Sequence, residues 1–326
     1  MYRSVFLAFT AIAMAILLFS GCSVNMENNV RIDERNIAEF DSVSVTTSLS
    51  DIEFVESDRY GLDLFVPRRF APDWDVSSGR LTIQEKTTDI IFNLSINSPR
   101  YYVKVYYPAG TCFSDISLVT SSGSVRLPQV DVKDLDIRSS SGAINANAEK
   151  SDRVAMNTSS GDITYTGSGG FVDLRTSSGA VRSIIEDCDA IHVTTSSGDV
   201  NVAGKGDLAT NLNVHTQSGK IRVAGATWQD ITTVSSSGET AVSGELLGNT
   251  SITTSSGSVS ISVAGDPSYY GYALRSSSGT ILWNGEKMGK PAISSGSFEN
   301  HIEVSTSSGS IRVDFVYESF TPCLAV

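Results

Sequence analysis

The chain has 326 residues, with 24 Lys and Arg against 36 Asp and Glu, for a formal charge of −12. That acidity comes without any basic run, which excludes nucleic acid as a partner, because phosphates call for clustered Lys and Arg. It equally argues against electrostatic docking on anionic lipid headgroups.

Residues 1–21 carry a single charge, Arg3, then an apolar run over 5–19, then Ser20 and Gly21 before Cys22. A positive start, an apolar stretch too short for a comfortable span and small residues ahead of a cysteine read as a secretory signal peptide. The segment resembles the lipobox of bacterial lipoproteins, although Phe19 stands where that motif usually has an aliphatic residue. The resemblance implies cleavage before Cys22, lipid attachment on Cys22, and anchoring in a bacterial cell envelope through the acyl chains alone. Loss of Arg3 takes the formal charge from −12 to −13. Residues 22–35 read as a polar tether.

From 36 to 115 a repeat begins in worn form. Val43, Val45 and Thr47-Ser48-Leu49-Ser50-Asp51-Ile52-Glu53-Phe54 fit its register, with Ser50 in the place later held by glycine. Val76-Ser77-Ser78-Gly79-Arg80-Leu81-Thr82-Ile83 fits again, and residues 101–108 read as a Tyr-rich strand ending in Pro108. The lack of a linker makes this the irregular opening of one domain.

Residues 116–315 carry the repeat itself, Thr-Ser-Ser-Gly with an aliphatic residue two places on. It ends at Gly123, Gly142, Gly161, Gly179, Gly198, Gly219, Gly238, Gly257, Gly279 and Gly309. The first eight spacings are 19, 19, 18, 19, 21, 19, 19 and 22 residues. A sustained period near 19 means stacked supersecondary units. Counted from each glycine, apolar residues fall at −7, −5, +2 and +4, a period of two on both sides, which reads as strand, corner, strand. Glycine suits the corner through positive φ. The hydroxyls before it can bond local backbone or one another on successive rungs. One rung cannot bury enough to fold alone, so the fold class is an all-β, single-chain parallel β-solenoid of about 19 residues per rung. The absence of a hexapeptide pattern points to a right-handed coil. Residues 284–297 read as a looped-out insert, the Gly309 rung as the last, and 316–326 as a cap or tail.

The lipobox, the worn opening with its Tyr-rich strand, and the Thr-Ser-Ser-Gly-x-Ile rungs together resemble the bacterial putative-adhesin families, including the GIN-type head domain. The resemblance covers residues 36–315 and implies an envelope β-solenoid of adhesin type.

For chemistry, the best constellation is Asp173 beside His192 on neighbouring rungs, with Arg175 and His215 close by. Asp136 and Arg138 repeat the pairing, the mark of a solvated charge pattern, so these four residues are a candidate binding surface rather than a catalytic site. A +1 ladder of Asp162, Ala180, Asp199, Lys220 and Glu239 reads as salt bridging between rungs. Cys112 and Cys188 lie about four rungs apart, roughly 19 Å, too far for a disulfide. No zinc spacing, no calcium cage and no cofactor motif is present. The expected function is a non-catalytic, adhesin-like binding or structural module, its partners a membrane through Cys22 and a glycan or envelope protein. The alternative is a polysaccharide-cleaving β-helix working through Asp173 and His192.

Overall fold

The computed structural model describes residues 29–86, 100–205 and 210–316. The signal peptide, Cys22, residues 317–326 and Cys323 lie outside them. Among the described residues there is no α-helix, and two short 3-10 turns, Arg68–Phe70 and Pro267–Tyr269, are the only helical elements. Every strand belongs to one hydrogen-bonded sheet that winds on itself.

The period of two becomes a pile of side chains. Val125, Ile144, Ile163, Val181, Val200 and Ile221 stand opposite one another on successive parallel strands. Ile137, Met156, Leu174, Val193 and Val214 do the same on the facing side. The residues of the −5 and +2 columns are at most 1% exposed in every winding. Burial of each such aliphatic contributes roughly 1.5–3 kcal/mol, and the windings above and below stand directly against it in register. Stacking is therefore what makes each turn stable.

Each winding bends twice. One bend is the Ser-Ser-Gly corner. At the other, strands such as Ile144–Thr158 and Ile163–Thr176 continue through a register shift, between Ala148 and Ser151 in one and Gly167 and Gly169 in the other. Such bulges turn a strand without ending it.

Stack order departs from chain order at both ends. Ser42–Thr46 lies between Arg80–Gln84 and Cys112–Thr120. Asn300–Ser308 lies between Asn249–Ser256 and Tyr270–Ser276, and Ile311–Val316 lies between Val259–Ala264 and Ile281–Trp283. The first and last windings of the described chain thus sit one place inside the ends of the stack. The Gly309 winding, expected to be terminal, is second from the end, and the segment after Gly279 forms the end itself. The insert at 284–297 is correspondingly not a free loop. Glu286–Lys287 pairs back on Ile281–Trp283, and Ala292–Ile293 pairs antiparallel with Tyr270–Ser276.

Antiparallel pairs finish the stack. Asn29–Arg35 pairs with Gly61–Pro67, which pairs with Tyr102–Pro108. Residues 29–35 are therefore a strand and not tether, because Val30 and Ile32 alternate with polar residues and find a partner edge. Arg31, Asp33, Glu34 and Arg35 make that outer edge charged, which discourages pairing with a second chain. Inside, aromatic rings close both ends. Phe40, Phe54, Tyr107 and Phe113 cluster at one, with ring centroids 5.4–6.5 Å apart along the chain of contacts. Tyr270, Tyr272, Trp283 and Phe315 cluster at the other, 4.2–5.4 Å apart.

The Gly238 winding carries Thr233 and Thr240 in apolar columns, each 1% exposed and with a hydroxyl that has no hydrogen-bond partner among the described residues. A buried, unpaired hydroxyl costs about 1 kcal/mol or more. Thr233→Val with Thr240→Val is expected to raise stability by about 1–3 kcal/mol, read as a higher urea midpoint at unchanged slope.

Candidate functional site

The corner is the most repeated feature, and its chemistry is structural. The Thr or Ser at −3 is buried in every regular winding, from Thr120 and Ser139 through Thr306. Thr158 Oγ1 accepts from Gly161 N at 3.2 Å and donates to Gly142 O at 3.2 Å. Thr176 bridges Gly179 N and Gly161 O in the same way, both at 3.1 Å. One hydroxyl thus closes its own corner and ties it to the winding before. For these −3 hydroxyls the partner across the stack is the glycine carbonyl, while a hydroxyl-to-hydroxyl bond between windings is made by the −1 serines Ser278 and Ser308, at 3.4 Å.

The reason for glycine also differs from the expected one. Of the ten corner glycines only Gly238 has a left-handed φ, at 137°. What forbids a side chain is the approach of the neighbouring winding. A Cβ on Gly161 would lie 2.1 Å from Gly142 O, on Gly179 1.8 Å from Gly161 O, and on Gly198 1.7 Å from Gly179 O. Ser50 does stand in the glycine's place, since a Cβ on Gly123 would meet Ser50 O at 1.9 Å. The +1 ladder is likewise more than salt bridging. Asp51, Asp162 and Asp199 each accept, at 2.8 Å, the backbone N–H of the +1 residue in the next winding, from Ser124, Ala180 and Lys220. Asp162 also meets Arg182 at 3.3 Å, and Lys220 meets Glu239 at 3.9 Å.

The Asp173 neighbourhood lies on an outward side. Asp173 stands opposite His192, and Arg175 opposite Thr194, which stands opposite His215. Asp173 and His192 are therefore neighbours, while Arg175 and His215 are separated by one strand. Asp173 is gripped by Arg175 on its own strand at 2.8 Å, and His192 Nε2 lies 3.1 Å from Thr194 Oγ1. Asp136 and Arg138 form the same two-residue pair, also at 2.8 Å. Both pairs are local, each closed within a single strand face.

Cys112 is exposed and Cys188 buried, both as free thiols. Cys188 donates to Ala190 O at 3.2 Å, and burial pushes its thiol up to about 11. Burial also raises Tyr107 to about 12 and Tyr165 further still. An acid whose pKa is higher in the folded state contributes a constant amount below its unfolded value and loses it as pH rises. Stability is therefore expected to stay level, for these groups, below pH 9 and to fall as pH rises from about 9 towards 12. Cys188 is expected to resist a thiol reagent at pH 8 until denaturant is added, whereas Cys112 reacts in the native state. Absorbance at the reagent's wavelength, followed with and without urea, checks both.

Among the described residues no group of three or more His, Cys, Asp or Glu could hold a metal ion. Clefts outside the regular windings include one of about 320 Å³ between Arg31–Arg35, Ser57–Arg59 and Tyr106, and two larger ones. Of the larger two, one, about 570 Å³, lies between Phe40, Tyr60 and the Pro108–Cys112 turn, and the other, about 440 Å³, lies under the insert that precedes Asn300. The insert's length of spacing was visible in the sequence, but not the surface over which it folds.

Parallel strands stacked through a buried hydroxyl–glycine corner define an all-β repeat protein. The family model Toastrack DUF4097 matches residues 40–224 and again residues 172–314, and the chain belongs to that family. This bears out the resemblance to the bacterial putative-adhesin families. Among solved structures the chain is similar to a putative lipid binding protein from Parabacteroides distasonis, at 17% identity over 88% of this chain and 97% of that one, with a TM-score of 0.47. It is also similar to a putative adhesin from Bacteroides fragilis, at 12% identity over 88% and 97%, TM-score 0.41. A putative adhesin from Parabacteroides merdae matches at 10% identity over 89% and 97%, TM-score 0.37. No curated protein matches the chain.

Proposed function

We propose that the protein is a lipid-anchored module of the bacterial cell envelope that binds a surface ligand without transforming it. In this reading Cys22 carries the lipid, residues 22–28 form the tether, and the domain is a right-handed coil of about 19 residues per turn. The observation that carries the reading is the pairing on the outward side. Asp173 is neutralised by Arg175 at 2.8 Å, as Asp136 is by Arg138, so the best acid–base candidates behave as one more repeat of a surface pattern. The similar solved structures bear the names putative adhesin and putative lipid binding protein, which agree with a binding role. Rigid, in-register side chains on long flat sides suit contact with an extended partner.

The test compares Asp173→Ala and His192→Ala with the unaltered chain on envelope polysaccharides. Retention is expected to be nearly unchanged and no new reducing ends are expected to form. Release of reducing ends that stops in both variants would instead establish the polysaccharide-cleaving alternative. Cys22→Ser is expected to move the protein from the membrane to the soluble fraction and to abolish incorporation of labelled fatty acid.

A further inference from the structure

The insert does more than close the stack. Asn300–Ser308 presents His301 and Glu303 at successive outward positions, about 7 Å apart along the strand. Register places His301 between Asn249 and Gly271, and Glu303 between Ser251 and Ala273. Two long polar side chains therefore stand over a floor of short ones. Across that floor runs the segment 293–299, which carries Ile293, 57% exposed, and folds Phe298 back against the bare Cα of Gly271 and edge-on to His301.

Both ends of this overhang are fixed. Ser294 N donates to Tyr272 O at 3.0 Å, and Ser294 Oγ accepts from Tyr272 N at 2.8 Å. Asn300 Oδ1 accepts from Gly248 N at 2.9 Å, and His301 N donates to Gly248 O at 2.8 Å. A cleft with pinned walls needs little ordering when a ligand enters, and about 440 Å³ falls in the range of small-molecule sites.

The lining selects a chemical class. Glu303 Oε1 is held by Arg275 at 2.8 Å, so the pair is neutral together and attracts neither a cation nor an anion strongly. Glu303 Oε2 has no partner among the described residues and can accept from hydroxyls, which gives the stronger, charge-assisted kind of bond. His301, Ser251 and Asn249 offer further donors and acceptors, and Ile293 offers an apolar wall. An extended peptide adding as a strand is disfavoured, because Asn249–Ser256, Asn300–Ser308 and Tyr270–Ser276 each have neighbours on both sides. A ring with one apolar C–H face and several hydroxyls fits every wall.

We infer that this cleft is a binding site for a neutral saccharide of one or two rings, with Glu303 and His301 bonding its hydroxyls and Ile293 covering its C–H face. The inference rests on the binding-module reading and names its ligand class and place. The experiment is saturation-transfer NMR on the full chain in detergent micelles, against neutral hexoses, N-acetylhexosamines and their disaccharides. Glucuronic acid and glucosamine serve as charged controls. A neutral sugar is expected to receive saturation, and Glu303→Gln and Ile293→Asn are each expected to weaken it about tenfold or more. Glu186→Gln, exposed on Val181–Thr195 in the middle of the stack, is expected to leave it unchanged. Saturation of the charged sugars alone, of no sugar, or of a neutral sugar equally in all variants would overturn the inference. If envelope polymer still retains the unaltered chain in those cases, only the cleft assignment fails. If nothing retains it, the binding-module reading fails as well.

Discussion

Gly161→Ala is expected to unfold the middle of the stack, at a cost of about 4 kcal/mol or more, through one added methyl group. The Cβ would lie 2.1 Å from Gly142 O and 2.5 Å from its carbonyl carbon, and both are backbone atoms held in a ladder. Relief requires the two windings to separate, which breaks the Thr158 bridge and uncovers Ile144 against Ile163. Losses of this size arise only from a few mechanisms, and a methyl driven into immovable backbone is one of them. Gly110→Ala is the control. Its Cβ meets nothing within 4 Å, and its φ of 77° leaves only local strain, about 1 kcal/mol. Urea unfolding followed by far-ultraviolet circular dichroism separates the two by several-fold in free energy.

Trp228→Ala is the second large effect, expected at about 3–5 kcal/mol. Trp228 is 1% exposed and fills a space left by glycines of three successive windings. A Cβ on Gly204, Gly225 or Gly244 would stand 3.1, 3.0 or 3.3 Å from its ring. Removing the indole leaves a void that backbone on three sides cannot fill. The indole N–H has no hydrogen-bond partner among the described residues. Trp228→Phe therefore loses volume but also removes an unpaired donor, and is expected to cost only about 1–2 kcal/mol. Urea midpoints in the order wild type, Phe, Ala, with the larger step at Ala, are the expected result. Equal losses for Phe and Ala would mean that the N–H is satisfied and that ring packing matters little.

The columns of the regular windings were legible because alternation is a property of neighbouring residues. Leu174, Val181 and Val193 announce a buried face without any knowledge of what covers them. The corner was legible as a corner, but its cause was not. Positive φ is a property of one residue, whereas the contact of Gly179 with Gly161 O belongs to two windings and appears only once they are stacked. The same holds for Asp162 and Asp199, whose acceptor role depends on the N–H of the following winding. Stack order was hidden for another reason. A spacing of 30 between Gly279 and Gly309 allows the chain either to continue outward or to turn back and slot in beside Gly257. Nothing local distinguishes these, and the choice rests on pairing with Ile252, Val259 and Leu274. The cleft beneath the insert follows from that choice, which is why nothing local in the sequence marks His301 and Glu303 as lining one. Asp173 and His192 were correctly placed as neighbours, because both lie in regular windings where the period alone sets adjacency.

Amide hydrogen exchange on the full chain probes the stacking most directly, since each strand's protection reports how many neighbours it has. The slots assigned to Asn300–Ser308 and Ile311–Val316 predict protection close to that of Val181–Thr195, and slower exchange than Ile281–Trp283, although they lie nearer the chain's end. Ser42–Thr46, paired on both sides, should likewise outlast Asp73–Ser77, whose one strand partner among the described residues is Arg80–Gln84. Protection that instead decays steadily with sequence towards residue 316, so that 311–316 exchanges before 281–283, would contradict the in-register winding order.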